Sequence, residues 1–407
     1  MDVRVSLLIA LEALFALFLL YRSGCIKTAA QWSAVAALLL TAFVPRLLAM
    51  KYETLDYQDF LAPWVEFYRQ NGGFRALYRP VGNYNVPYLY FMALFSYSKI
   101  RDLYLIKLLS IFFDVLLAWG GMRLVSRLTD SPLRRVGCFF TILLLPTVFL
   151  NGAVWGQCDG VYVALAVMAI WLALEEKPVW SMLCITLSFG FKLQAVFVMP
   201  IYAVFLMQGK IRWKHLLLFP AAYVLLVLPA VLLGRPFLDT VTLYFSQTGS
   251  IGSGLNYNSP SVFAIFWQIT EPEPASTVAI AAAFLYMVNL LAVAWVKRRR
   301  LTDRAVIALS LLFAIGIPFL LPHMHDRYFY AADILSVVLA YALPVLWLAA
   351  PLTQFASLLG YHAYLKMRYL LPMRYGSAAL ILSFALSLIG FLASLAEEKR
   401  TRRKKHS

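Results

Sequence analysis

Residues 34–50 read AVAALLLTAFVPRLLAM, and residues 52–64 read YETLDYQDFLAPW. The first stretch carries a single charge, Arg46. An apolar run of roughly 17–20 residues, wound as a helix, crosses the ~30 Å hydrocarbon core of a bilayer. The second stretch is its opposite. It carries Glu53, Asp56 and Asp59, with Glu66 just beyond, in a chain of only 20 acidic against 36 basic residues. A membrane helix therefore delivers the chain into a carboxylate-bearing loop.

The rest of the chain repeats the apolar pattern. Of 407 residues, 62% are hydrophobic and 14% are charged. Soluble domains carry about 25% charged residues. The runs do not alternate apolar and polar residues, which excludes a transmembrane barrel. The fold class expected is all-α: a polytopic transmembrane bundle of about 11–13 spanning helices, read as one membrane domain. The spans are expected near 5–21, 31–49, 103–122, 136–153, 160–174, 180–192, 195–208, 216–233, 276–296, 305–321, 329–348, 350–365 and 377–396. The segment 350–365 is the least apolar of these, because it holds Gln354 and His362. Arg4 and RSGC (Arg22–Cys25) suggest a signal peptide, but Arg22 spoils a lipoprotein-type cleavage site, so 5–21 is read as a retained helix. Four cysteines with no C-x-x-C pair give neither a disulfide framework nor a thiolate metal site.

The net charge of +16 does not imply nucleic acid, because it gathers in short loops and in the tail Lys399–Ser407. Lys and Arg in short loops mark the cytoplasmic side. Arg22 and Lys27, Arg123 to Arg135, Lys177, Lys210 to Lys214, Lys297 to Arg300 and the tail all share one side on one condition: VPYLYFMALFSYS (Val86–Ser98) must not cross. That stretch is short for a span and rich in aromatics, so it is expected to lie in the membrane interface. The chain is then a multi-pass cell-membrane protein with a cytoplasmic C-terminus. The first loop 50–102, WGQCDG (Trp155–Gly160), the loop 234–275 and PHMHDRYFY (Pro322–Tyr330) all face outward.

Those outward segments hold the unusual polar residues. Asp56 and Asp59, three apart, would share a helix face. They read either as solvated interfacial acids or as a general base held at the membrane surface. Gln157 and Asp159 lie in a short helix exit that could be a plain turn. Lys192 and Gln194, in FGFKLQAVFVMP (Phe189–Pro200), sit between apolar runs, where a cation must pair, snorkel or face a polar cavity. His323, His325, Asp326, Arg327 and Tyr328 form the last group. Its imidazoles and carboxylate are metal-ligand types, yet no further cluster completes a site, so a divalent metal is not favoured and no cofactor is expected. Arg327 suits a bidentate phosphate. Asp114, Asp333 and Glu12 lie inside expected helices without evident partners. No phosphate-loop or dinucleotide motif is present. SQTGSIGSGLNYNSPS (Ser246–Ser261) reads as a lid or as a loose loop.

Taken in order, DYQDFLAPW, WGQCD, FKLQAVFVMP and HMHDRYFY resemble the motifs of the GT-C superfamily of membrane glycosyltransferases. The chain is similar to bacterial relatives of GPI mannosyltransferase II and to the glucosyltransferases that extend dolichol-linked oligosaccharide. NYNVP stands where relatives often have a D-Y-P-P-type segment, and Asp326 stands in a Glu place. The resemblance implies a polyprenyl-phosphate monosaccharide donor, a glycan or glycolipid acceptor, and surrounding membrane lipids as partners. It implies inverting transfer of one hexose, with Asp56 as base and Asp59 as its rival. Asp159 would orient the acceptor or the base, and Gln157 would line the substrate site. Lys192, His325 and Arg327 would hold the donor phosphate, with Gln194, His323, Asp326 and Tyr328 lining the substrate site. A flippase of a lipid-linked sugar, and a ligase or polymerase using a lipid-diphosphate glycan, are the alternatives. The absence of an internal repeat and the gathering of polar groups at one face disfavour the flippase.

Overall fold

The computed structural model describes residues 2–248 and 254–405. The centre of the Gly/Ser-rich loop, 249–253, and the side chains of the basic tail from 397 onward lie outside the described residues. The architecture is all-α, as the composition requires. Its principal helices are α1 (Val3–Arg22), α2 (Ala29–Ala49), α3 (Ala62–Gln70), α4 (Val86–Phe95), α5 (Asp102–Ser126), α6 (Pro132–Leu144), α7 (Asp159–Leu174), α8 (Pro178–Phe191), α9 (Leu218–Leu232), α10 (Pro272–Lys297), α11 (Asp303–Leu320), α12 (Tyr330–Ala342), α13 (Ala349–Leu365) and α14 (Arg374–Lys405). Local chemistry sets many starts. Thr28 and Gln31 form a capping box on α2, Ser131 caps α6 ahead of Pro132, and Thr302 caps α11.

Among the described residues, seven helices are long and apolar enough to cross a membrane, or eight spans if one bent pair is counted. This is fewer than the 11–13 runs read from hydropathy. Several runs are short helices or broken ones. The expected span 136–153 is α6 followed by a 46° bend at Pro146 and a π-helical segment, Leu150–Trp155. The expected span 195–208 is no continuous helix. Lys192 is extended, Leu193–Phe197 is a 3-10 turn, and only Ile201–Met207 is α-helical beyond Pro200. Pro200 has no N–H with which to continue a ladder. The expected span 329–348 stops at Ala342, before Pro344.

The core is built around α5 and α11, which are largely enclosed, while α1, α2, α9 and α10 turn most of their surface outward. Helix α5 packs against α6, α7 and α12, and α11 packs against α10, α12 and α14. At one end of the bundle Arg127, at the close of α5, pairs with Glu175 (3.1 Å) and Asp303 (2.7 Å), and Lys210 lies 3.8 Å from Asp303. The basic loops after α5, after α7 and before α11 therefore meet at that end, as the charge pattern required.

The first loop closes on itself at the other end. Arg101 pairs with Glu53 (2.7 Å), and Tyr57 donates to Asp102 Oδ2 (3.2 Å). The chain thus leaves α2 and enters α5 at the same end, and α4 does not cross. Helix α4 is covered by neighbouring helices rather than lying on the protein surface. Val86, Tyr88, Leu89, Met92 and Ala93 are buried, packed among α3, α8 and α9. The only strands among the described residues are Asn256–Tyr257 and Met324–His325, paired in parallel. They pin the C-terminal part of the Gly/Ser-rich loop beside the motif HMHDRY.

Candidate active site

Helix direction brings the polar motifs together. Helices α2, α8, α11 and α13 end, and α5, α7 and α12 begin, at the end of the bundle opposite the Arg127 cluster. There the Asp56 carboxylate accepts four hydrogen bonds. Its Oδ2 takes Trp155 Nε1 (2.8 Å), Gln157 Nε2 (2.5 Å) and Arg327 Nη1 (3.4 Å). Its Oδ1 takes the Tyr364 hydroxyl. Every partner is a donor, the set that an ionised carboxylate can accept. The Asp56 side chain is 17% exposed, so a small polar group can still reach it.

Asp159 differs. Its side chain is fully enclosed, held by Lys192 Nζ (2.5 Å), Arg327 Nε (3.3 Å) and Asn151 Nδ2 (2.9 Å). A buried carboxylate is tolerable only with such partners. Arg327 is the hub. It reaches Asp56, Asp159 and, at 3.8 Å, Asp326, while its guanidinium lies 4.4 Å over the Trp155 ring. Trp155 in turn stacks on Tyr364 at 4.4 Å. Lys192 lies 5.9 Å from the Tyr84 ring, and Tyr84 donates to Gln157 Oε1 (3.2 Å).

The other expected residues are more peripheral. Asp59 is exposed and outside this network. Residues 57–61 wind as a π-helix, whose wider turn removes the shared face that an α-helix would give positions three apart. The His323 ring turns away to the Gly254 carbonyl (2.7 Å). His325 stacks on Tyr257 at 4.7 Å, and burial, with Arg327 and Lys192 nearby, lowers its pKa to about 4. It is therefore a neutral imidazole at neutral pH, not a third cation for a phosphate. Burial raises Asp326 to about 7 against the pull of Arg327, and its Oδ1 has no hydrogen-bond partner. Gln194 lies beside the Tyr328 hydroxyl. Among the described residues no group of three or more His, Cys, Asp or Glu side chains converges as a metal would need.

Sequence reasoning missed Tyr364, Tyr361 and Asn151, and it carried Trp155 only as part of the WGQCD motif. The Tyr361 hydroxyl accepts from Asn151 Nδ2 (2.9 Å), and its ring packs edge-on against Trp155. Both tyrosines lie on α13, the span whose polarity looked out of place. That polarity was the available signal, since polar groups in membrane helices turn toward a cavity or a partner. Two of the three acids inside helices find partners, whereas the buried Oε2 of Glu12 has no hydrogen-bond partner. Asp114 pairs with Arg46, and Asp333 accepts from Ser357 (2.9 Å).

No curated protein matches the chain. The family model for glycosyltransferase family 87 matches residues 83–322, more than half of the sequence, including WGQCD and Lys192. Asp56, Arg327 and Tyr364 lie outside the matched span yet converge on it. A polytopic helical membrane protein with this match is a membrane glycosyltransferase of GT-C type: the chain belongs to glycosyltransferase family 87.

Proposed function

We propose that this transferase moves one hexose, mannose or a close relative, from a polyprenyl-phosphate donor to a glycan or glycolipid acceptor, with Asp56 as general base. One observation carries the reading. Asp56 is a carboxylate that is partly open, fixed by four donors, and next to a guanidinium that also contacts two further carboxylates.

The chemistry follows from the bonds exchanged. The acceptor hydroxyl gives its proton to Asp56 while its oxygen attacks the anomeric carbon. The bond from that carbon to the phosphate oxygen breaks, and polyprenyl phosphate leaves. Attack opposite the leaving group inverts the anomeric centre. The phosphate departs as a stable anion, so no general acid and no cofactor are written into the step. Charge grows on the phosphate as the bond breaks, where Arg327 and Lys192 are the cations at hand. Both are already engaged by carboxylates, so the donor phosphate must share them with Asp56 and Asp159. A neutral His325 can still give the phosphate a hydrogen bond. Gln157 and Trp155 hold the base in place for attack.

The basic loops gather at the far end, which supports an extracytoplasmic site by the charge rule for short loops. Nucleotide sugars are made in the cytoplasm, whereas a lipid-linked donor reaches an outward site from within the bilayer. The test is purified protein in nanodiscs given a radiolabelled polyprenyl-phosphate hexose. Transfer to a lipid or glycan acceptor with inverted anomeric configuration is expected. Retained configuration would remove the single-base mechanism. Movement of the lipid without transfer would favour a flippase.

A further inference from the structure

Three polar side chains lie along one face of α5, spaced three and four residues apart, and all three meet the turn that carries Trp155, Gln157 and Asp159. Lys107 packs its stem by Gly156 and donates Nζ to the carbonyls of Ala49 (2.9 Å) and Tyr52 (2.6 Å), where α2 gives way to the Asp56 loop. Ser110 donates to the Gln157 carbonyl (2.8 Å). Asp114 lies between Gly152 and Gly160: a Cβ on Gly152 would come 2.8 Å from its Oδ2, and one on Gly160 would come 3.2 Å from its Oδ1.

Arg46 of α2 completes the cradle. Its Nη2 reaches Asp114 Oδ2 (3.1 Å) and the Leu143 carbonyl (2.8 Å), and its Nη1 reaches the Ala42 carbonyl (2.9 Å). Leu143 is in the last turn of α6, just before the chain breaks. Leu145 turns extended ahead of Pro146, as a residue before proline does. A helix end leaves carbonyls without intrahelical donors, and buried in an apolar bundle such a carbonyl needs a donor from elsewhere. Arg46 supplies it, and Asp114 balances the charge. Arg46 and Asp114 are both 1% exposed and have no route to substrate.

We infer that the Arg46–Asp114 pair is a positioning device for catalysis: it fixes the bend at Pro146 and the two glycines, and so sets where Trp155 and Gln157 hold Asp56. The inference rests on Asp56 being the base. The geometry also explains why an arginine occupies an otherwise apolar span, and why glycine stands at positions 152 and 160.

The test joins a readout of position to a readout of rate. Arg46→Lys keeps the charge, but a single ammonium cannot reproduce the fork to Leu143, Ala42 and Asp114. The double variant Arg46→Met with Asp114→Leu replaces the pair by apolar groups, an exchange that buried pairs often tolerate in stability. Amide exchange in nanodiscs should quicken in peptides from 145–158 by roughly tenfold or more in either variant, with α11 unchanged. With polyprenyl-phosphate mannose as donor, kcat should fall roughly 10- to 100-fold at near-constant donor KM, the loss expected of a displacement of about 1 Å. Unchanged exchange in 145–158 in both variants overturns the inference. So does exchange that quickens equally throughout the protein, or a raised KM with intact kcat. Should one variant fail to fold, the other decides. Local quickening of exchange in a protein whose wild type transfers nothing supports the cradle and removes the donor reading instead.

Discussion

Trp155 Nε1 lies 2.8 Å from Asp56 Oδ2, which ties the first residue of the WGQCD motif to a carboxylate 99 positions earlier in the chain. The contact places Asp56, the proposed base, within the polar network, while its rival Asp59 stays outside it. Asp56→Asn should lower transfer roughly 10²- to 10⁴-fold, the loss typical of a missing general base. Asp59→Asn should keep near-wild-type transfer. Rates in a membrane assay with a polyprenyl-phosphate hexose check both, and the reverse ranking would move the base to Asp59.

Tyr364→Phe removes one donor from Asp56 and keeps the ring stack on Trp155 at 4.4 Å. A hydrogen bond to a charged group contributes roughly 1.5–3 kcal/mol. We expect kcat/KM to fall about tenfold or somewhat more, with little change in the midpoint of thermal unfolding. An unaltered kcat/KM would leave Tyr364 with a packing role only.

Lys192→Met leaves the enclosed Asp159 with Arg327 and Asn151 as its remaining partners. Removing one partner of a buried pair costs roughly 3–5 kcal/mol. The remaining guanidinium should hold the loss near the lower end. Thermal unfolding in detergent, read beside Asp159→Asn, measures it. A variant as stable as wild type would mean that Lys192 does not hold Asp159 in the membrane-embedded protein.

Two neighbours give opposite pH dependences. Asp326 has a folded pKa raised to about 7, so between its unfolded value and about 7 the native state binds more protons. Its contribution to stability therefore falls as pH rises through that window. His325 is lowered to about 4, so between about 4 and its unfolded value the unfolded state binds more protons, and its contribution rises with pH. Asp326→Asn should remove the falling term. Relative to wild type the variant should gain stability as pH rises from the acid range toward about 7, and hold that gain above it. Unfolding midpoints over this range check the sign.

The helical membrane class, the gathering of basic loops at one end and the return of the first loop to the end it left were legible in the chain alone, because hydropathy and loop charge are local properties that the bilayer reads directly. The chain alone also singled out Asp56, Gln157, Asp159, Lys192 and Arg327, since polar and ionisable groups at helix ends in a greasy chain need partners. Which partners they meet depends on the packed bundle. Periodicity could not foresee the π turn that parts Asp59 from Asp56, the bend at Pro146, or the burial of α4 among aromatic neighbours. Nor could it pair Asp56 with Tyr364, which follows it by 308 residues. Such contacts depend on which helix ends meet in space, and packing across the whole bundle fixes that.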